Sequence, residues 1–220
     1  MIIVFSGIDG SGKSTQTNLL KEYLSEKRIN SSIIWSRGGY TPGFVYLKNI
    51  LRYLLGKKAI PSGKSRSREK IIHNKFITSV WLSIAIIDLI VLYGCIFRLR
   101  NLFGRVTICD RYIGDTYIDF SLNFPKSNFS KMILWKLLVF LSPKPSYGFL
   151  FTNSIELSMQ RSKIKFEPFP DSRKTLHKRL KLYNSLNFFN GKHWSKVDGE
   201  KSINENFTQI VRHVGLDNEN

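Results

Sequence analysis

Residues Gly7-Ile8-Asp9-Gly10-Ser11-Gly12-Lys13-Ser14 match G-x-x-x-x-G-K-[ST] at every fixed position. The match constrains the fold because the flanking sequence supplies what such a loop requires. Met1 to Phe5 is a short, β-rich apolar run, and Ser14 to Lys27 carries Leu19, Leu20, Tyr23 and Leu24 at helical spacing. Strand, glycine-rich loop and helix N-terminus together form an anion cradle. Glycines let the backbone turn its N–H groups inward around phosphate. Lys13 is placed to reach the outer phosphates, and the Ser14 hydroxyl to ligate magnesium. The candidate phosphate-binding residues are therefore Gly7, Asp9, Gly10, Ser11, Gly12, Lys13, Ser14 and Thr15.

Beyond the loop, strand-like and helix-like segments alternate. Ser32 to Trp35, Val106 to Cys109, Gly148 to Thr152 and Trp194 to Val197 read as strands. Between them, Phe44 to Leu55, Met132 to Leu141, Ile155 to Arg161, Ser172 to Phe189 and Ile203 to Val214 read as helices. Such alternation predicts an α/β fold, a parallel sheet covered on both faces. The length of 220 residues fits one domain spanning 1–220, and 42% apolar residues are enough to bury a core. Phe76 to Phe97 is a 22-residue apolar stretch with one charge, Asp88. It is long enough to span a bilayer. It also carries Thr78, Ser79 and Ser83 and sits inside the alternating pattern, which predicts a helix buried in a core or in a dimer interface.

The chain holds 34 Lys and Arg against 16 acids, a formal charge of +18, so its partners are anions: nucleotides, nucleic acid or acidic lipid headgroups. Gly56 to Lys70 concentrates six basic residues against one acid and reads as a mobile basic loop. Cys95 and Cys109 have no partner spacing for zinc or for a disulfide framework, and both read as small buried apolar residues. The N-terminus enters a strand directly, with no basic leader, which predicts the cytoplasm.

An acid at the end of another apolar strand is the second element, beside Ser14, of the metal side of a phosphate site. Asp110 closes the apolar run Val106-Thr107-Ile108-Cys109, at the sheet edge where ligands of open α/β sheets bind. Arg111 follows it and is suited to clamp phosphate through two parallel N–H bonds. Ser14 and Asp110 are the candidate metal ligands. Arg37, after the second strand, is expected at the same edge facing an anion. Trp81 and Asp88, seven apart on one helix face, can stack a planar ring and accept from ring N–H groups or sugar hydroxyls; packing and a buried polar contact are their bland alternative.

With these residues in view the sequence resembles thymidylate kinase and its thymidylate-kinase-like relatives. The resemblance rests on Ser6 to Gln16, on Asp110-Arg111-Tyr112, and on a lid region from Arg161 to Asp171 followed by a helix carrying Arg179, Tyr183 and Leu186. It implies a three-layer P-loop kinase fold with a central, mostly five-stranded parallel sheet flanked by helices. It also implies magnesium-ATP as donor, a nucleoside monophosphate as acceptor and a homodimer joined by long helices. Because the phosphate loop has Gly10 after Asp9, the chain resembles members whose lid supplies the cation at the transferring group, here Arg161 with Lys163 and Lys165. Lys13, Asp110, Arg111 and Arg161 are thus the expected catalytic set. The acceptor half departs from the family. Arg37-Gly38-Gly39-Tyr40 stands where the family has Arg-Glu-Pro-Gly-Gly, and Asp115 and Ile118-Asp119-Phe120 replace its Ser and Ala-Tyr-Gln. The long helix lacks the family's Arg. Arg37, Trp81, Asp88, Arg111 and Asp115 are the expected acceptor-binding set, with thymidylate as the nominal acceptor, expected to bind poorly or in a changed pose. The competing readings are a kinase for another phosphorylated or hydroxylated metabolite, and a nucleotide-gated protein binding nucleic acid or anionic membrane.

Overall fold

A computed structural model describes residues 1–36, 41, 43–44, 46, 53, 75–165 and 170–216. The expected helix 44–55 (apart from a few positions), the basic loop, Arg37 and part of the lid lie outside these residues. The chain divides into two compact units.

The first unit comprises 1–35, 99–118 and 144–220 and contains a five-stranded sheet. Its strands are β1 (Ile2–Gly7), β2 (Ser31–Trp35), β3 (Val106–Asp110), β4 (Tyr147–Thr152) and β5 (Trp194–Asp198), all parallel, in the order β2-β3-β1-β4-β5. β1 is buried along its whole length. That explains its unbroken apolar run where a half-exposed strand would alternate. Helices α1 (Lys13–Glu26) and, near the C-terminus, Ile203–Val214 bring Leu20, Leu24, Ile210 and Val214 onto Ile3, Phe5, Ile108, Phe149 and Phe151. Ser202 and Glu205 start the latter helix with a reciprocal capping box, and Gly215 ends it in the left-handed conformation.

The second unit comprises 36–98 and 119–143. It holds most of α2 (Lys75–Leu102), whose middle turn, Ile90–Ile96, is π-helical. Leu82, Ala85, Ile86, Leu89, Tyr93 and Phe97 are buried, while Phe76, Ile77, Val80, Ile87 and Val91 are exposed. The apolar helix is therefore buried on one side only, where burial all round was one expectation. By length and composition it is also sufficient to cross a membrane. Cys109 is buried in β3, but Cys95 is exposed on α2, and both thiols are free. Helix α3 (Ile113–Asn123) follows β3 and was not legible as a helix; α4 (Ile133–Leu141) follows it. Returning to the first unit, α5 is Ile155–Ile164, α6 is Arg173–Ser185, and α7 is the C-terminal helix already described. The helix expected to run to Phe189 ends at Ser185 and gives way to a 3-10 turn, Asn187–Phe189.

Gly7 joins β1 to the loop with φ near 137°, a conformation that side chains with a Cβ rarely adopt. A methyl group there would overlap the carbonyl oxygen of Phe151 on β4. Backbone in a sheet centre cannot swing away. Gly7→Ala is therefore expected to cost about 3–5 kcal/mol of unfolding free energy. Urea denaturation checks this, and a loss under about 0.5 kcal/mol, the ordinary surface range, would contradict it.

Candidate active site

The topology of the sheet decides where its ligand crevice opens. From β1 the chain crosses to β2 on one side; from β3 it crosses to β4 on the other. β1 and β3 are neighbours, so their C-terminal ends diverge at a switch point, where open α/β sheets bind ligands. Phe5 pairs with Asp110 there, and the Arg111 amide donates to the Phe5 carbonyl at 2.9 Å. A cleft of about 110 Å³ lies at this point, lined by the loop from Asp9 to Ser14 together with Trp35, Asp110, Arg111 and Lys165. That volume suits phosphate groups, whereas whole-ligand pockets run to several hundred Å³. A larger polar groove of about 800 Å³ runs along α7 between Ser195 and His213 and contains none of the expected site residues.

Gly12 takes φ near 95° and hands the loop to α1, whose first residue is Lys13. No side chain caps this terminus, so its N–H groups are left for an anion. The Lys13 ammonium folds back on the loop, donating to the Ile8 carbonyl at 2.6 Å, and the residue is only 6% exposed. Burial, reinforced by the Arg111 charge, lowers its pKa to about 8 against the pull of Asp9, Asp110 and Asp115. Asp110 shows the opposite shift, raised by burial despite Lys13 and Arg111. Its Oδ1 is buried without a hydrogen-bond partner. Such an atom is costly unless a ligand takes it up. An unsatisfied carboxylate oxygen lining one cleft with a serine hydroxyl is a fitting donor pair for a hard cation that keeps its other positions for water and phosphate. Among the described residues no group of three His, Cys, Asp or Glu could hold a metal by protein ligands alone.

Arg111 is held at φ near 80°, uncommon for a residue with a side chain. Its guanidinium pairs with Asp9, and Nη1 lies 3.6 Å from Asp115. Asp115 is 1% exposed and is taken up by protein groups, accepting from Ser6, Tyr112 and Tyr183. Arg161 does not line the cleft. Its Nη1 donates to the Gly10 and Gly199 carbonyls, both at 3.0 Å, bracing the loop from outside, while Lys165 lines the cleft instead.

The loop residues, Asp110, Arg111 and Asp115 are thus brought together in the first unit. Trp81 and Asp88 belong to the second. Trp81 packs against Phe44 and Phe124 at centroid distances of 5.2 and 5.0 Å, as a member of an aromatic cluster. Asp88 accepts from the Thr41 hydroxyl, and burial raises its pKa. Sequence reasoning missed Trp35, for which the end of β2 was a usable signal, and it named Tyr183 in the family resemblance without giving it a role at the site.

Comparison with known proteins agrees with this geometry. No family model matches the chain. A probable thymidylate kinase from Methanocaldococcus jannaschii is 29% identical over 221 residues, covering 97% of this chain and 95% of that protein. A thymidylate kinase from Ehrlichia chaffeensis is 47% identical over 57 residues, 26% of this chain and 27% of that one. The crystal structure of thymidylate kinase from Ehrlichia chaffeensis, 19% identical, covers 98% of both chains with a TM-score of 0.52 and shows the same fold. Phosphate loop, strand-end Asp110 and five-stranded parallel sheet define a P-loop kinase. Within that class the chain is similar to thymidylate kinases over nearly its whole length.

Proposed function

We propose that the protein transfers the γ-phosphoryl group of ATP to the phosphate of a nucleoside monophosphate, with thymidylate the first acceptor to test. The observation that carries this reading is the cleft itself. A full phosphate loop, Lys13, Arg111 and the unpartnered Asp110 oxygen converge on one small space at the switch point of the sheet. The likeness to thymidylate kinases over nearly the whole chain supports the choice of acceptor class.

The loop N–H groups and the start of α1 hold the donor's phosphates, and Lys13 moves from the Ile8 carbonyl onto the outer phosphate oxygens. Ser14 and Asp110, directly or through water, would hold a magnesium ion, which neutralises charge on those oxygens when bound. Arg111 exchanges Asp9 for the acceptor's phosphate. An acceptor phosphate oxygen attacks the γ-phosphorus while the bond to the β-bridging oxygen breaks, leaving ADP. A phosphate monoester is already mostly ionised at pH 7, so no general base is required. The protein's part is placement and charge compensation. Lys165 on the cleft wall is the lid cation best placed to share it. Arg37, Trp81 and Asp88 remain the proposed acceptor contacts, to be tested by Asp88→Asn in the acceptor panel below. A homodimer joined through α2 belongs to the same reading, supported by the exposed Phe76, Ile77, Val80, Ile87 and Val91; a monomeric mass in sedimentation at micromolar protein would exclude it.

Asp110→Asn separates this function from a structural role. The substitution removes a charge that burial disfavours more than Lys13 and Arg111 favour it, so stability should stay roughly level. Magnesium affinity should fall, moving the titration midpoint up about tenfold or more. An unchanged midpoint would remove Asp110 from the metal site.

A further inference from the structure

Asp115 gathers more of the site than any other side chain. Its carboxylate accepts from Ser6 Oγ at 2.5 Å, from the Tyr112 amide at 3.0 Å and from the Gly7 amide at 3.4 Å. Tyr183 OH donates to it at 2.6 Å and lies 3.1 Å from the Gly7 carbonyl. The Arg111 guanidinium faces it at 3.6 Å. One buried acid therefore ties together the end of β1, the turn after β3 and α6. Tyr183 is itself buried, and α6 follows the Arg161 to Asp171 region, whose end is fastened to α6 by Arg179 and Asp171 at 2.5 Å.

We propose that Asp115 and Tyr183 are positioning residues for the transfer reaction: Asp115 sets the direction of Arg111 and the entry to the phosphate loop, and Tyr183 makes that setting depend on how α6 is seated. The inference rests on the proposed kinase reading. A charged acceptor holding several donors fixes geometry more firmly than neutral pairs do. Loss of one such bond shifts groups that must be aligned to within fractions of an ångström for transfer. Tyr183 thereby makes the helix next to the lid part of the site without touching substrate.

Steady-state kinetics of Tyr183→Phe, Asp115→Asn and the double variant test it, with thermal unfolding run alongside. Tyr183→Phe keeps the ring and removes only the hydroxyl. It should lower kcat/KM for the acceptor about tenfold in the wild-type background, the scale of one hydrogen bond to a charged group, yet less than about twofold in the Asp115→Asn background. Equal losses in both backgrounds, or unchanged kinetics with only a lowered Tm, would overturn the coupling. Should the wild type phosphorylate no monophosphate, the kinase reading fails separately. Calorimetric ADP affinity then decides: about fivefold weakening in Tyr183→Phe supports the positioning role, and unchanged affinity overturns it.

Discussion

Lys13→Ala is expected to leave the fold intact and lower turnover about a hundredfold or more. The magnitude is that of losing one preorganised positive group at a developing phosphoryl charge. Removing Lys13 costs the fold little, because burial already disfavours its charge and lowers its pKa to about 8. The same shift gives a pH signature. Above about pH 8 the free protein's Lys13 becomes neutral, so kcat/KM for ATP should fall toward tenfold per unit, while bound phosphates restore the charge and hold kcat level. Circular dichroism, turnover and the two pH profiles check this together. Near-normal turnover in a folded Lys13→Ala protein would contradict the donor-site assignment.

Arg111→Ala should fail in stability and in chemistry together, unlike Lys13→Ala. The guanidinium is nearly buried between Asp9 and the fully buried Asp115. Taking it away leaves carboxylates without their cation, a loss of about 3–5 kcal/mol. The left-handed backbone at Arg111 remains a strain for alanine, so no relief offsets this. In the fraction that folds, the acceptor's KM should rise and kcat fall. Arg111→Lys keeps a charge but not the planar fork, so it should recover stability better than catalysis. Denaturant unfolding with kinetics at saturating acceptor separates the two losses. Wild-type stability and KM in Arg111→Ala would show that the guanidinium serves neither role.

Much of this was legible because the chemistry is local in the chain. The loop from Gly7 to Ser14 is one contiguous run with its strand and helix beside it, and Asp110 announces itself as an acid ending an apolar strand. Alternation likewise predicted all five strands in a parallel sheet, as observed. Helix α3 was hidden because its buried face carries Asp115, Thr116 and Asp119, which break the apolar stripe a helix normally shows. Its start is capped by Asp115, three residues into the helix, accepting from the Tyr112 amide, whereas the sequence reading assigned this acid to the acceptor. Asp115 finds its other partners at Ser6 and Tyr183, far away in sequence. The family resemblance implied that Arg161 is a lid cation, but its guanidinium is drawn to the Gly10 and Gly199 carbonyls. For α2, composition alone cannot tell a helix buried all round from one with an exposed apolar face.

The most direct test of the account is a coupled ADP-release assay with purified protein, ATP and magnesium, run without acceptor and then with thymidylate and other nucleoside monophosphates, for wild type and Asp88→Asn. The account predicts slow ADP release alone, strong stimulation by at least one monophosphate, and a changed acceptor preference in Asp88→Asn. Acceptor-independent ATP hydrolysis that no monophosphate accelerates would contradict it.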